Sequence, residues 1–379
     1  MAATFSSARP VATGPLNGVR VLEFAGLGPA PFCCMLLSDL GAQVLRIARP
    51  TAPMQGFDGV LDRGRITLTL DLKQSAGIEA CRALSRNADA LIEGYRPGVM
   101  EKLGLGPDTL LAANPKLVYG RMTGWGQYGP YSHTAGHDIN YISLSGALHA
   151  IGTGDKPIAP LNLVGDFGGG ALYLAMGVLA AILNARSSGV GQIVDCAMTD
   201  GAASLMSMMF ALRGAGAWGE QRRSNLLDGG APYYDTYRCA DDKWISIGAL
   251  EPQFFATLIG KLQIPASEFP EYENRECWPR LRERFERIFA SQPQAHWCKL
   301  LESTDSCFAP ILSMGEAVEH PHNVARGTFT THSGMVQPAP APRFSRTPAA
   351  IQESGRVDAD TLRAWGLPQA LIEQVTSMR

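Results

Sequence analysis

The stretch VRVLEFAGLGPAPFCCMLLSDLGAQVLRIARP, residues 19–50, determines the fold class of this protein. Its first seven residues are apolar apart from Arg20 and Glu23 and predict a buried strand, and PFCCMLLSDL predicts an apolar helix that ends at Gly41. AQVLRIARP predicts a second strand. A helix that connects two strands in this way crosses over with a right hand, so both strands belong to one parallel sheet.

The same alternation of strand and helix continues along residues 16–125. RITLTLDLK, DALIEGY and KLVYGRM predict strands, and SAGIEACRALSRNA between the first two predicts an amphipathic helix. This order predicts the α/β class with a doubly wound parallel sheet. In such sheets ligands bind beyond the carboxyl ends of the strands, so the segments that follow the strands are candidates for a site.

Basic residues follow two of these strands. GLGPAP does not match the dinucleotide-binding pattern GxGxxG, and the second strand carries Arg46 and leads to Arg49 where an NAD-binding protein has an acid for the ribose. Arg96 comes directly after DALIEGY. The arginines predict a site for phosphate, although surface arginines at the ends of strands would give the same pattern.

The residues that could carry chemistry lie in GHDINYISLSGALHAIGTGDKPIAPLNLVGDFGGG, residues 136–170. His137 and Asp138 begin this stretch, and Asp166 precedes three glycines and an apolar helix. We expect the N–H groups at the start of that helix to favour a negatively charged ligand oxygen, and the carboxylate beside them to exchange a proton. The alternative is that Asp166 only caps its helix.

Composition excludes several classes of protein. The chain has 379 residues, 46% hydrophobic and 18% charged, with a net charge of −2, so neither nucleic acid nor an anionic membrane is expected as a partner. The eight cysteines lack the spacing of metal ligands and indicate reduced thiols. No secretory signal is evident, and the apolar run at residues 171–183 is too short to span a bilayer. We expect a cytoplasmic protein, or a peroxisomal or mitochondrial one in a eukaryote.

The second half of the chain predicts a separate domain. YYDTYRCA and KWISIGAL alternate polar and apolar residues and predict a hairpin around Asp241 and Asp242. Helical and strand-like segments follow as far as CFAPILS. We predict a smaller α+β domain at residues 226–312 and a large domain formed by residues 1–225 and 313–379.

Nine segments, including LEFAGLGPAPF, LIEGYRPGVMEKLGLGP, RMTGWGQYGP, AGHDINYISLSG, NLVGDFGGG and LDGGAPYYDTY, resemble the class III CoA-transferase superfamily, and in particular its racemase-like members. The resemblance covers most of the chain. It implies a Rossmann-like large domain built from both chain ends, a smaller domain from the middle, and an interlocked homodimer. It also implies acyl-CoA thioester substrates and no metal, flavin or nicotinamide cofactor, since CoA is part of the substrate.

The resemblance also implies two acid/base pairs, His137 with Glu251 and Asp166 with Asp138. The HDIN run and the glutamate of IGALEPQF distinguish racemase-like members from transferase-like ones. Glu251 lies far from His137 in the chain, so this pairing depends on the resemblance alone. Without it, Glu251 would be read as an acid in the first turn of a helix.

Family members hold CoA with basic residues, and the resemblance implies this role for Arg46, Arg96 and Arg65. The glycine-rich helix start adds a second kind of contact. We expect the N–H groups of Gly168 and Gly169 to stabilise a negatively charged oxygen of the substrate.

Two further groups of side chains are explained more simply by packing and loops. Met206, Met208 and Met209 lie in an apolar helix and indicate adaptable core or a subunit interface, with a surface for the acyl chain as the alternative. His320 and His322 form a pair in the sequence, but no third ligand has a suitable spacing, so no metal site is predicted.

Inverting a carbon next to a thioester carbonyl requires a base on one face and an acid on the other. We therefore expect a racemase that interconverts (R)- and (S)-2-methylacyl-CoA by 1,1-proton transfer through an enolate. The alternatives are a class III CoA transferase with Asp166 as the nucleophile and a non-catalytic CoA-binding protein. His137, Asp138 and Glu251 favour the racemase.

Overall fold

The computed structural model describes residues 13–50 and 58–377. These residues form two units, which we call the first and the second unit. The first unit consists of the described residues of Met1–Ser145, Leu161–Leu205 and Phe329–Arg379, and the second of Gly146–Pro160 and Met206–Thr328.

The strands, numbered along the chain, are β1 (Arg20–Phe24), β2 (Gln43–Ala48), β3 (Arg65–Thr69), β4 (Ala90–Glu93), β5 (Val118–Thr123), β6 (Ile193–Ala197), β7 (Tyr234–Arg238), β8 (Trp244–Gly248), β9 (Phe308–Ile311), β10 (Phe329–His332), β11 (Met335–Pro338) and β12 (Gly355–Arg356).

The helices are α1 (Pro29–Asp39), α2 (Asp58–Leu61), α3 (Ser75–Ser85), α4 (Val99–Lys102), α5 (Pro107–Ala113), α6 (Asp138–Leu144), α7 (Ala147–Ala150), α8 (Leu172–Ser188), α9 (Met198–Leu205), α10 (Ser207–Gly214), α11 (Pro252–Lys261), α12 (Trp278–Phe289), α13 (Gln294–Leu301), α14 (Met314–Glu319), α15 (Pro321–Arg326), α16 (Ala359–Ala364) and α17 (Gln369–Ser377). A π-helical segment, Leu163–Ala171, directly precedes α8, and short 3₁₀ turns lie at Ala266–Glu268 and Arg275–Cys277.

A parallel sheet of seven strands organises the first unit. Its order is β12-β3-β2-β1-β4-β5-β6, and every pair of neighbours is parallel. Apart from β12, this is the strand order of Rossmann-like sheets, in which the direction of winding reverses between β1 and β4. The predicted α/β class with a large parallel sheet is confirmed.

Both faces of this sheet are covered by helices because successive strand residues point to opposite sides. Leu22 and Leu45 belong to one buried cluster, which also contains residues of α3, α16 and α17. Their neighbours Val21 and Val44 belong to a second cluster, which contains residues of α1 and α8. This explains why β1 and β2 are almost continuously apolar in sequence.

The π-helical segment and α8 together form the most apolar helix among the described residues. An 18-residue part of Leu163–Ser188 has a mean hydropathy of 1.6, and by length and composition alone this helix could cross a membrane. The same composition is found in core helices of globular proteins, so this is weak evidence. Leu174, Val178 and Ile182 are buried against the sheet.

The second unit is built around an antiparallel sheet in the order β7-β8-β9. The hairpin predicted around Asp241 and Asp242 is present, with Arg238 opposite Trp244. Aromatic side chains of β7, α11, α12 and α13 form its core, in which Tyr237 contacts Phe285 and Phe289.

The predicted domain boundaries need correction. The second unit begins at Met206 instead of residue 226, extends to Thr328, and includes Gly146–Pro160. Residues 220–230 have the polar composition of a linker, but Asn225 is 1% exposed, and its amide donates to the carbonyl oxygen of Gly219 at 3.0 Å. Arg222 donates to the carbonyl oxygens of Thr153 and His149 at 2.8 and 3.0 Å and so ties this segment to residues 146–160.

Candidate active site

Asp166 lies inside the π-helical segment, which begins three residues before it at Leu163. The sequence predicted a helix that starts after the glycines, and this prediction was wrong. In a π-helix each N–H group bonds the carbonyl five residues earlier, so the N–H groups of Gly168 and Gly169 are engaged within the helix. They are not first-turn donors for a substrate oxygen. Short π-helical segments in proteins are frequently found at functional sites.

The glycines instead allow close packing between the π-helical segment and α9. A Cβ atom added to Gly201 of α9 would lie 1.8 Å from the carbonyl oxygen of Gly169, and one added to Gly169 would lie 2.5 Å from the backbone nitrogen of Ala202. These distances leave no room for a side chain. The glycine run is therefore explained by helix packing.

Asp138 holds the backbone at Asp166. Its Oδ2 atom accepts the N–H of Asp166 at 2.6 Å, and its side chain is buried, with the residue 7% exposed. A Cβ atom on Gly165 would lie 2.5 Å from the same Oδ2, so this contact requires glycine at position 165. The structure thus brings together Asp138 and Asp166, which are 28 residues apart in the chain.

The side chain of Asp166 lies between a helix neighbour and the loop that follows β1. The amide of Asn162, the residue directly before the π-helical segment, is 3.4 Å from Asp166 Oδ2. A Cβ atom on Gly28, whose φ is +69°, would lie 3.3 Å from that oxygen. Asn162, Gly165 and Gly28 were not predicted as site residues, and only the spacing of four between Asn162 and Asp166 could have indicated one of them.

Burial raises the pKa of Asp166 above its ordinary value. The hydrogen bond from Asn162 lowers this pKa, the charge of Asp138 raises it, and His137 lowers it. A carboxyl group with a raised pKa is easier to protonate near neutral pH, which suits a group that must both accept and donate a proton.

His137 stands immediately before α6, and its side chain is exposed. Its backbone N–H donates to Oδ1 of Asn140 at 3.0 Å, and its carbonyl accepts the N–H of Asn140 at 2.8 Å. These bonds fix the start of α6 and place His137 and Asp138 next to each other. Because Asp138 accepts the N–H of Asp166, His137 adjoins a residue that contacts Asp166. The role of the His137 imidazole as a base stays a prediction.

Glu251 belongs to the second unit. It precedes α11, its carbonyl oxygen accepts the N–H groups of Phe254 and Phe255 at 3.0 Å each, and its side chain is exposed. Its local environment is therefore that of a residue at a helix start. Its pairing with His137 stays a prediction.

Arg46 lies within β2, near its carboxyl end, and Arg96 lies in the loop that follows β4. The side chain of Arg46 is 17% exposed and forms an ion pair with Asp62. Arg96 is exposed in the loop between β4 and α4. Near them, the guanidinium of Arg49 lies 5.3 Å from the centre of the Tyr95 ring. Arg49 thus lies beside the loop that carries Arg96, whereas the charge of Arg46 is paired with Asp62.

Arg65 is buried, and the expectation that it contacts CoA needs correction. It is 1% exposed, with its Nε atom 3.0 Å from Oε2 of Glu23. Its other nitrogens donate to the carbonyl oxygens of Arg63, at 3.0 Å, and of Pro31. Arg65 begins β3 and Glu23 lies on β1, with β2 between the two strands, so local sequence could not indicate this pairing.

Across the described ranges, no group of three histidine, cysteine, aspartate or glutamate side chains could hold a metal ion. The pair His320 and His322 does not form such a group, and His320 Nε2 is instead 3.3 Å from Oε1 of Glu302.

A cavity of about 320 Å³ lies within the second unit. Its apolar wall includes Met206, Met209, Phe210 and Trp218, while Arg213 is among the charged residues at its border. Two of the three methionines considered in the sequence therefore face this cavity.

The chain is similar to known proteins in both sequence and structure. The sequence matches the family model described as CoA-transferase family III over residues 16–356. It is 44% identical to Alpha-methylacyl-CoA racemase of Mus musculus over 96% of this chain and 97% of the mouse protein. It is also 44% identical to the protein of the same name from Homo sapiens, over 88% of this chain and 87% of the human one. A solved structure of the hypothetical protein Rv3272 from Mycobacterium tuberculosis superposes with a TM-score of 0.78 at 26% identity, covering 94% of this chain and 100% of that one.

Proposed function

This chain belongs to CoA-transferase family III, and from that premise we propose that it is an isomerase that interconverts (R)- and (S)-2-methylacyl-CoA thioesters. The relatives that are 44% identical over most of the chain and are named Alpha-methylacyl-CoA racemase support this substrate class. At the level of the site, the proposal is supported by the hydrogen bond from the N–H of Asp166 to Asp138, the residue next to His137, and by the raised pKa of the Asp166 carboxyl group.

Proton transfer in both directions follows from these two groups. One of them, as a base, removes the proton from the carbon next to the thioester carbonyl, and the electron pair moves into an enolate. The other, as an acid, delivers a proton to the opposite face and so inverts the carbon. Each positioned acid or base contributes about 10²–10⁴-fold in rate.

The neighbours of these groups have supporting roles in the proposal. Asp138 holds the backbone of Asp166, and Glu251 polarises His137. A single base would return the proton to the face that it left, so the mechanism requires both His137 and Asp166.

The remaining parts of the proposal concern binding. Arg46 and Arg96 contact the phosphates of the CoA portion, and CoA enters as part of the substrate without a separate cofactor.

The chain works as an interlocked homodimer in the cytoplasm, or in a peroxisome or mitochondrion of a eukaryote. Sedimentation velocity of the purified chain tests the dimer, and unchanged turnover after dialysis against a chelator supports the absence of a metal.

The test of the function uses a single epimer of a 2-methylacyl-CoA in deuterated water. Epimerisation with uptake of deuterium at the α-carbon supports the racemase. Transfer of CoA to a free acid without α-exchange would instead support the transferase, in which Asp166 forms an anhydride and then a thioester.

Substitution of the proposed base gives the second arm of this test. We expect His137→Ala to reduce α-exchange by at least about 10²-fold, because one positioned acid/base group is lost. His133→Ala is the matched control, since His133 is exposed a few residues earlier in the same segment. Unchanged exchange in His137→Ala would remove this residue from the mechanism.

A further inference from the structure

Glu93 is a buried acid that the proposed mechanism does not use. It is the last residue of β4, is 1% exposed, and stands directly opposite Arg121 of β5 in the register of the sheet. An acid in this position is costly to bury unless its charge is paired and hydrogen-bonded. The groups that bind the Glu93 carboxylate therefore indicate which parts of the fold this residue connects.

The carboxylate of Glu93 connects the sheet to the loop that follows it. Oε2 accepts the N–H of Tyr95 at 2.7 Å, and Oε1 accepts Nε of Arg121 at 3.1 Å. The Nη1 atom of Arg121 is in turn 2.8 Å from Oε1 of Glu101 in α4. We call this arrangement the Glu93–Arg121–Glu101 bridge. It joins both ends of the loop formed by residues 94–98.

This loop carries Arg96, and its backbone is fixed on both sides of that residue. Before Arg96, the N–H of Tyr95 is bound to Glu93, and the Tyr95 hydroxyl donates to the carbonyl oxygen of Ala25 at 3.3 Å. After it, the carbonyl oxygen of Arg96 accepts the N–H of Val99 at 3.1 Å. The side chain of Arg96 itself is exposed.

A cation on a fixed backbone binds an anion at lower entropic cost than one on a mobile loop. The bridge therefore has a functional consequence if Arg96 meets a ligand. The alternative is an ion-pair network that serves only to stabilise the fold.

We propose that Glu93 is a positioning residue, which acts through the Glu93–Arg121–Glu101 bridge to hold Arg96 where it binds a phosphate group of the CoA portion of the substrate. This inference rests on the proposed function for the identity of the ligand. It adds to that function a residue that touches neither the reacting carbon nor CoA.

The first experiment compares two thioesters of the same 2-methylacyl group, one on CoA and one on pantetheine, which has no phosphate. For Glu93→Gln we expect KM for the CoA thioester to rise about tenfold, the effect of weakening one charge-assisted contact, with kcat unchanged within about twofold. KM for the pantetheine thioester stays unchanged. An equal rise for both thioesters, or no change for either, would overturn the proposal.

A second variant tests whether the change in KM of Glu93→Gln comes from the loss of the bridge or from a folding defect. Glu101→Gln breaks the other end of the bridge at a side chain that is 44% exposed, and its KM should change in the same direction by a smaller factor. Asp39→Asn is the matched control because it removes another buried pair of the first unit, Asp39 with Arg63, without touching the loop. The ratio of the two KM values should stay at the wild-type level in this control.

A double-mutant cycle tests whether Glu93 acts through Arg96. In the Arg96→Ala background, Glu93→Gln should add no further increase in KM, because the group that it positions is already absent. A full additional increase in that background overturns the proposal.

Calorimetric binding of free coenzyme A separates this inference from the proposed function. If the wild type binds CoA but epimerises nothing, the proposed function fails. In that case a Glu93→Gln variant that binds CoA about tenfold more weakly, as expected for the lost contact, supports the inference, and unchanged binding overturns it. A wild type that binds no CoA overturns both.

Discussion

The carboxyl group of Asp166 is subject to opposing influences at the scale of single residues. Burial and the charge of Asp138 raise its pKa, while Asn162 and His137 lower it. For an epimerase this balance is useful, because the same group must be a base toward one epimer and an acid toward the other. Asn162 is the neighbour whose contribution can be removed with the least change in charge.

We expect Asn162→Ala to raise the pKa of Asp166 further, since the hydrogen bond that lowers it is lost. The acid limb of the pH profile of kcat/KM reports protonation of the base in the free enzyme, so this limb should move to higher pH for both epimers. Asn323→Ala serves as the control because the Asn323 amide bonds the carbonyl oxygen of Ala317 in the second unit. An acid limb that stays in place, or moves to lower pH, would contradict the role given to Asn162.

At the scale of elements, the contact between the π-helical segment and α9 places Asp166. The backbones of Gly169 and Gly201 approach so closely that neither position accepts a Cβ atom without movement of the other helix. Gly165 in turn leaves room for the bond from Asp138 to the backbone of Asp166. The glycines near Asp166 therefore act through the packing of helices.

Gly201→Ala should lower the free energy of unfolding by roughly 1–3 kcal/mol, the usual cost of overpacking. It should also reduce kcat, because separation of α9 from the π-helical segment moves Asp166. Urea denaturation and the epimerisation assay measure the two effects. In the control Gly214→Ala the new methyl group meets no heavy atom within 4 Å, so stability should stay equal or rise slightly. Equal stability of the Gly201 variant and the wild type would disprove the tight crossing.

At the scale of the whole molecule, buried charge connects stability to pH. Burial raises the pKa of Glu93 from 4.5 to about 7, against the opposing effects of the Tyr95 N–H and Arg121. Between these two values the folded protein keeps a proton that the unfolded chain has lost, so this group makes the fold less stable as pH rises. A shift of that size corresponds to on the order of 3 kcal/mol.

Glu93→Gln resembles the protonated form at every pH and removes this dependence. We expect the variant and the wild type to have similar melting temperatures at pH 5, and the variant to be relatively more stable at pH 8. The difference between the two proteins, measured at both pH values, is the quantity to compare, because other titrating groups cancel in it. A difference that does not change with pH would show that Glu93 titrates in its ordinary range. Asp39→Asn removes another buried carboxylate, whose pKa is also raised by burial, so its difference from the wild type should change with pH in the same direction.

Local sequence pattern was sufficient for the class of fold and suggested the chemical groups of the proposed site. Apolar runs of strand length that alternate with helical periods specify a parallel sheet, since the crossover has one hand. The same pattern placed Arg46 near the end of strand β2 and Arg96 after strand β4. His137, Asp138 and Asp166 could be singled out as acid and base side chains next to glycine, although Asp166 alone could equally have been a helix cap, and the assignment of their roles depended on the resemblance to the family.

Tertiary contacts determined where the helix that contains Asp166 begins and which of the predicted arginines is buried. The helix that contains Asp166 starts at Leu163 because packing against α9 accommodates the glycines inside it, and Arg65 is withdrawn from the ligand edge because Glu23 pairs with it in the interior. Both outcomes depend on partners that are tens of residues away in the chain, and a local pattern contains no information on which distant groups will meet. Residue types and their period therefore specified the scaffold, whereas burial and long-range hydrogen bonds determined which groups remain available for chemistry.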